Sequence, residues 1–144
     1  ARIIISAERE LPKELEPYRM KIPAHLFHDV LAFSSLLVTD SQTVTTEAAC
    51  LGVPVVRCNS FVGPDDMGNF IELEQKYGLI FSLKDPKDAI AKADEILNQD
   101  DIKKVWKGKK DKFINDKIDM TKYLVWFIEN WPKSLYNNPP EEIV

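Results

Sequence analysis

Cysteine is nearly absent from this chain, which limits both the cross-links and the metal sites that can be expected. Only Cys50 and Cys58 occur in 144 residues, and their spacing is not that of a Cys-x-x-Cys pair. A disulfide framework and a cysteine-based zinc site are therefore not expected. We predict a reducing, cytoplasmic environment, and we assign no metal site and no cofactor.

Long apolar runs and an excess of basic residues are also missing. The run from Tyr123 to Ile128 is far shorter than the roughly 20 apolar residues that cross a bilayer. The formal net charge is -4, whereas proteins that bind nucleic acid normally carry a basic face. We therefore predict a soluble domain with no transmembrane segment and no nucleic-acid partner.

The chain does contain short apolar runs that alternate with amphipathic stretches. Such runs, rich in Ile, Val and Leu, are typical of parallel strands covered on both faces, and the stretches between them have helical spacing. This alternation predicts an α/β fold, a Rossmann-like parallel sheet of about four or more strands with helices on both faces. The predicted strands are Arg2–Ser6, Leu36–Thr39, Val53–Arg57 and Leu79–Leu83.

One core fits this length, so we predict a single domain over residues 1–135 and a tail over residues 136–144, which contains Asn137-Asn-Pro-Pro140. The chain starts at Ala1 and already reads as a strand at Arg2. We therefore expect it to be part of a larger protein.

The stretch TDSQTVTTEAACLGVPVV, residues 39–56, contains the main candidate site. It predicts a strand, a short loop and a helix that starts near Thr43, capped by Ser41 or Asp40. Ligands of open parallel sheets bind at the carboxyl ends of the strands, and a helix N-terminus there favours an anion such as a phosphate. Glu47 lies in the second turn, where a carboxylate can accept hydrogen bonds from two ribose hydroxyls.

A structural role explains the same residues equally well. Ser and Asp are common helix caps, and an early Glu stabilises a helix by its charge. The glycine-rich phosphate motifs GxGxxG and GxxxxGK do not occur in this sequence.

Other residues near the predicted strand ends have two readings. Arg57 ends the third predicted strand, where it would clamp a phosphate or form an ion pair with Asp40 or Asp66. Phe61, in the following loop with Gly63, would contact a base or sugar, or anchor the loop in the core. His28 lies on the first predicted helix, where we expect a structural or solvated role.

A family resemblance supports the ligand-binding reading. TDSQTVTTEAACLGVPVVR is similar to T-D-S-G-G-x-x-x-E-A…L-G-x-P-V in the second domain of the non-hydrolysing UDP-N-acetylglucosamine 2-epimerases, which have the GT-B glycosyltransferase architecture. The chain more closely resembles the C-terminal half of an uncharacterised prokaryotic family, a domain of unknown function distantly related to those epimerases. That likeness covers nearly the whole chain, through SAERELP, HDVLAFSSLLVTDSQT, FVG, KYGL and DKIDMTKYLVWFIENWP.

The resemblance implies a C-terminal GT-B domain that binds a nucleotide sugar, such as a UDP-sugar, and works in polysaccharide biosynthesis. Ser41 and the amides after it would hold the diphosphate, and Glu47 the ribose. Gln42-Thr43 replaces the two glycines of the epimerases. Ala7-Glu8-Arg9-Glu10 replaces their His-Arg-Arg-Glu, so Arg9 is a further candidate and the catalytic histidine has no counterpart.

Two functions remain open for the protein that contains this chain. In the first, this chain is the nucleotide-sugar-binding half of a glycosyltransferase or epimerase-like enzyme. In the second, it is a non-catalytic domain that binds a sugar nucleotide or serves as a scaffold. In either case, we expect the chain alone to bind nucleotide weakly and to have no turnover, because its partner would be an N-terminal domain of the same protein. The apolar last helix, from about Asp119 to Asn130, would contact that domain or form a homodimer.

Overall fold

The computed structural model describes residues 2–143, which form an α/β fold around one parallel sheet. The strands are β1 (Leu37–Thr39), β2 (Val55–Cys58) and β3 (Ile80–Leu83), in the order β1-β2-β3. The parallel α/β architecture predicted from the sequence is confirmed. The prediction of four or more strands is wrong, because the described residues contain three.

Six α-helices surround or follow the sheet in the described part of the chain. Short 3-10 turns add to them at Glu16–Tyr18, Ala24–Leu26, Lys133–Leu135 and Glu141–Ile143. The helices are α1 (Phe27–Phe33), α2 (Gln42–Leu51), α3 (Gly68–Ile71, continued by a π-helical turn over Glu72–Lys76), α4 (Pro86–Leu97), α5 (Ile102–Asn115) and α6 (Met120–Glu129).

The central strand β2 is the most buried element of the sheet. Val55, Val56 and Arg57 are all fully buried. Because successive side chains of a strand point to opposite faces, their burial shows that both faces of β2 are covered. Helix α2 packs on β1 and β2, while α4 packs on β2 and β3.

The first predicted strand is wrong. Ile3 and Ile4 are exposed by 63% and 46%, and only Ile5 forms an isolated parallel bridge, with Arg19. A strand is stabilised by its neighbours, and this segment pairs with residues 18–20 instead of with β1. The apolar pattern is therefore present without the sheet that it predicts.

Helical spacing predicts buried stripes of Val44, Ala48 and Leu51 in α2 and of Ile90, Ala93 and Leu97 in α4, and the structure differs from both in part. In α2 the predicted Leu51 is partly exposed and Thr45, Ala48 and Ala49 are buried. In α4 the predicted Ile90 is 70% exposed, and the buried residues are Ala89 and Ile96.

Gly52 ends α2 with a positive φ of 77°, which favours glycine, and its N–H donates to the carbonyls of Ala48 and Ala49. The chain then enters β2 through Val53, whose N–H donates to Ala48 as well. These bonds fix the turn between the end of α2 and the start of β2.

Helical spacing also predicts a buried stripe of Phe70, Leu73 and Tyr77 that Gly78 ends, and this prediction is confirmed. Phe70, Leu73 and Tyr77 are buried along α3 and its π-helical turn, and Gly78 ends the segment with a positive φ of 60°. Helix α5 adds Trp106, which is 1% exposed and donates from Nε1 to the carbonyl of Leu79 at 2.9 Å.

Helix α6 differs from the other long helices because none of its residues is buried. The rest of the described chain does not cover it, and its predicted contact with an N-terminal domain or a second copy stays a prediction. None of the helices in residues 2–143 is long and apolar enough to cross a membrane. The tail predicted for residues 136–144 contains a 3-10 turn, and the division at residue 135 stays a prediction.

Candidate functional site

The carboxyl ends of the three strands bring three loops to one edge of the sheet, which we call the rim. It consists of Asp40–Ser41, residues 59–67 and Lys84–Asp85. Thr39 is in register with Arg57, and Arg57 with Ser82, so the loops begin at matching heights. Asn59 joins the first two loops, because its Nδ2 donates to the carbonyl of Asp40 at 3.0 Å.

The start of α2 is held by a network of short-range hydrogen bonds. Ser41, one of the two residues predicted as the cap, is the N-cap: its Oγ accepts from the N–H of Val44 at 3.4 Å. Its own N–H donates to Thr39 Oγ1 at 3.0 Å, and its carbonyl accepts from the buried hydroxyl of Thr45 at 2.7 Å. These bonds fix the loop between β1 and α2 at the rim.

Two amides at the start of this helix remain available to a ligand. The first N–H groups of a helix have no partner in the preceding turn. Among the described residues, neither the N–H of Gln42 nor that of Thr43 has a hydrogen-bond acceptor. The partial positive charge of the helix N-terminus adds to the two donors, so this position favours an anion.

Glu47 lies one turn further along α2 and faces α1. Its Oε2 is 3.3 Å from Nε2 of His28, and the two side chains are 35% and 62% exposed. The His28 ring packs edge-on against Phe27. The structure thus gives His28 a specific partner that the sequence did not indicate, and leaves the Glu47 carboxylate partly accessible.

Cys50 follows on the same side of α2. Burial, and then the negative charge of Glu47, raise the pKa of the Cys50 thiol above its usual range. This thiol is therefore a weak nucleophile at neutral pH, because the thiolate is the reactive form.

Arg57 forms an ion pair with Asp66, which was one of the two roles predicted for it from the sequence. The guanidinium is fully buried, is paired with Asp66, and lies 4.0 Å from the ring centre of Phe70. Burial acts to raise the pKa of Asp66, but hydrogen bonds from Arg57 and from the N–H of Met67 outweigh it and hold that pKa below its usual range. The pair anchors the end of the loop over residues 59–67.

The other predicted rim residues lie in that loop, together with a lysine that the sequence reasoning missed. Phe61 is 73% exposed, so it does not anchor the loop in the core. A Cβ added at Gly63 would lie 3.5 Å from Nζ of Lys84, which follows β3. Lys84 follows a predicted strand end, the same signal that selected Ser41 and Arg57.

Arg9 is not brought to the rim by the sheet. It belongs to the N-terminal segment, which is not a strand of the sheet, and its carbonyl accepts from Arg19 at 3.2 Å. Within residues 2–143 no hydrogen bond or ion pair connects Arg9 to the rim loops. The sequence also predicts that residues 6–10 share one rim with residues 40–43 and 58–63. The strand on which that prediction was based is not part of the sheet, and the shared rim stays a prediction.

No cluster of three or more His, Cys, Asp and Glu side chains is placed to hold a metal ion in the part of the chain that the structure describes.

In comparisons with known proteins, no family model, no curated protein and no solved structure matches this chain. The resemblance stated above stays a prediction.

Proposed function

We propose that this chain binds the diphosphate and ribose of a nucleotide sugar, most simply a UDP-sugar, at the rim. The single observation that carries the proposal is the pair of available N–H groups at Gln42 and Thr43. They lie at the strand ends of a parallel sheet, where such ligands bind, and the bonds around Ser41 hold them in place.

The ribose is assigned to Glu47. Its carboxylate is 35% exposed and lies one helical turn beyond the two amides, on the side that α1 borders. A carboxylate at that spacing accepts bonds from vicinal hydroxyls. His28 Nε2 approaches only Oε2 of this carboxylate, at 3.3 Å, so the other oxygen is left for the sugar.

Phe61 and Lys84 complete the proposed site. Phe61 offers an exposed ring for stacking, and Lys84 adds a positive charge beside Gly63. Arg57 has no direct role in this proposal, because Asp66 already occupies its guanidinium. Arg57 holds the loop that carries Phe61.

In the protein that contains it, this chain would serve as the nucleotide-sugar-binding half of a glycosyltransferase or epimerase-like enzyme. The second candidate is a binding or scaffold domain without catalysis. The engagement of Arg57 by Asp66 favours that second candidate, because a cation of the predicted site is not free to stabilise charge in a reaction.

The test is an NMR titration of the isotope-labelled chain with UDP. Binding is monitored by changes in the backbone amide chemical shifts, which detect weak binding. We expect the largest shifts at residues 41–47. Gln42→Pro removes one of the two proposed donors and keeps the helix, because proline suits the first helical position and Ser41 already has the extended backbone that precedes proline. It should weaken UDP binding by roughly 1 to 2 kcal/mol.

Glu47→Ala distinguishes the contribution of the ribose to binding from that of the phosphates. It should weaken UDP by roughly 2 to 3 kcal/mol, about a hundredfold. Pyrophosphate, which has no ribose, should not lose affinity for that variant but should lose affinity for Gln42→Pro. Glu95→Gln, on the exposed side of α4, is the matched control and should bind UDP normally.

Two outcomes would contradict the proposal. One is the absence of UDP-dependent shifts at the rim of a folded chain. The other is unchanged UDP affinity in Glu47→Ala together with lowered stability, which would leave Glu47 a helix-stabilising partner of His28 only.

A further inference from the structure

Helix α6 carries an apolar face that the described residues leave uncovered. Leu124, Val125 and Ile128 are exposed by 49%, 49% and 71%, and helical geometry places them on one side. Met120, at the start of the helix, and Trp131, just after it, extend this face and are also exposed. A contiguous apolar surface of this kind marks an interaction site more often than a solvated surface. We call these five residues the α6 face.

Two charges along one edge of the α6 face indicate what covers it. Lys122 and Glu129 are two helical turns apart, so they lie on the same edge. Lys122 is in the first turn and Glu129 is the last residue of the helix. A cation at the N-terminus and an anion at the C-terminus both oppose the helix dipole. Stability of the isolated helix therefore does not explain this order of charges.

Neither charge is satisfied strongly inside the chain. Lys122 Nζ is 3.6 Å from Asp119, and both side chains are at least half exposed, so that pair contributes little. Glu129 forms no ion pair with any side chain that the structure describes. Both charges are thus available to a partner.

We propose that the α6 face binds a second copy of this chain, as an antiparallel pair of α6 helices with a two-fold axis near Val125 and Trp126. In an antiparallel pair the same edge of both helices meets, and the N-terminal half of one lies beside the C-terminal half of the other. Lys122 of each copy then faces Glu129 of the other, and the two apolar faces cover each other. A parallel pair would place equal charges at the same height.

The tail of the same chain is the competing occupant. Ile143 borders a shallow recess of about 360 Å³ on the charged edge, lined also by Thr121, Lys122, Val125, Trp126 and Glu129. The recess includes Val125, at the edge of the α6 face, but not Leu124 or Ile128, which lie beside Val125 in the middle of the proposed contact. The tail therefore borders the interface and does not replace it.

The test is sedimentation of the 144-residue chain over a range of concentrations, which measures the dimer dissociation constant. We expect a dimer at micromolar concentration. Ile128→Asp should raise the dissociation constant at least a hundredfold, because it places a charge at the centre of the contact. This residue is 71% exposed, so the substitution should not unfold the chain.

The charge pairs are tested by reversal and rescue. Lys122→Glu should weaken the dimer about tenfold, since it turns two attractive contacts into two repulsive ones. The double variant Lys122→Glu/Glu129→Lys should return the constant to within about threefold of the original. Both new residues suit the helix, a Glu three positions after the Asp119 cap and a Lys at the C-terminus, so a weaker helix is not a source of the loss.

Two further variants complete the set. Lys107→Glu, on an exposed side of α5, is the matched control and should leave the dimer unchanged. Removal of residues 137–144 should leave it intact or stronger. A monomer at every concentration, a failed rescue by the double variant, or loss of the dimer without the tail would each overturn the proposal.

Discussion

Helices α5 and α6 follow one another in the chain, and they show opposite relations between composition and burial. Helix α5 is rich in lysine, yet it packs on the rest of the fold through Trp106 and the partly buried Ile102 and Phe113. Helix α6 is far more apolar, yet none of its residues is buried. The difference lies in the partner: α5 lies against α2 and the residues around Gly78, whereas α6 contacts mainly the turn after it.

The lysines of α5 support its packing instead of opposing it. Lys109 places its Nζ 3.7 Å from the ring centre of Trp106 and donates to the carbonyl of Gly78 at 2.8 Å. Burial lowers the pKa of Lys109 below its usual range. A long basic side chain can thus cover an aromatic ring, and apolar composition alone does not decide what is buried.

The largest expected effect tests this contrast with two tryptophans. Trp106→Ala should lower the free energy of unfolding by roughly 3 to 5 kcal/mol, because it leaves a cavity and an unpaired carbonyl at Leu79. Trp131→Ala, at a side chain that is 59% exposed, should cost less than about 0.5 kcal/mol in the monomer. Urea denaturation of both variants measures the difference, and equal costs would remove the contrast.

A buried and an exposed ion pair allow the same comparison, because the loss of each should change the free energy of unfolding by a different amount. Asp66→Asn leaves the buried Arg57 without its charge partner and should cost roughly 3 kcal/mol. Asp111→Asn, which breaks the exposed pair with Lys107 on α5, should cost less than about 1 kcal/mol. Chemical denaturation at neutral pH is the measurement. A larger cost at Asp111 would mean that burial does not control these energies.

A fall in pH should gradually remove the contribution of the Asp66–Arg57 pair to the free energy of unfolding. The pKa of Asp66 in the folded state is below its ordinary value of 3.8, so the unfolded chain binds this proton more readily. Its stabilisation is present above that ordinary value and is lost as the pH falls through the lower, folded pKa. Melting temperatures between pH 5 and pH 2 should fall more for the original chain than for Asp66→Asn. Parallel curves would show that Asp66 does not contribute.

The helix caps give the smallest effect. Ser41→Ala should lower the unfolding free energy by about 1 kcal/mol, since α2 is part of the packed core. Asp119→Ala removes an equivalent cap from α6, where it should reduce helix content in circular dichroism and leave the unfolding midpoint unchanged in the monomer. A shifted midpoint for Asp119→Ala would show that α6 unfolds together with the sheet.

The sequence predicted the elements better than their faces. Local chemistry predicts strands β1 to β3, a cap at Ser41, a cap at Asp85 before Pro86 at the first helical position, and a helix stop at Gly78. The structure contains all of them. The face of α4 was wrong because Ala93 belongs to two overlapping stripes, one with Ile90 and one with Ala89 and Ile96. Which stripe is buried depends on the position of the sheet, and local spacing does not contain that information.

The features of the candidate site also fall into two groups: those predictable from local sequence and those that depend on tertiary packing. Ser41 and the start of α2 were predictable, because a cap and a strand end are local signals. The contact between Glu47 and His28 joins two helices, and Lys84 approaches Gly63 from another strand, so both depend on tertiary packing. The strand at Arg2–Ser6 failed for the same reason, since its apolar residues indicate a strand but not a neighbour.

The strand order β1-β2-β3 also has a consequence for the rate of folding. Each strand pairs with the next one along the chain, and paired residues are 18 positions apart between β1 and β2 and 25 between β2 and β3. The loops that close during folding are therefore short, and their entropic cost is small. During synthesis β2 can pair with β1 as soon as α2 has formed, before β3 leaves the ribosome. We expect rapid, sequential formation of the sheet from its N-terminal edge.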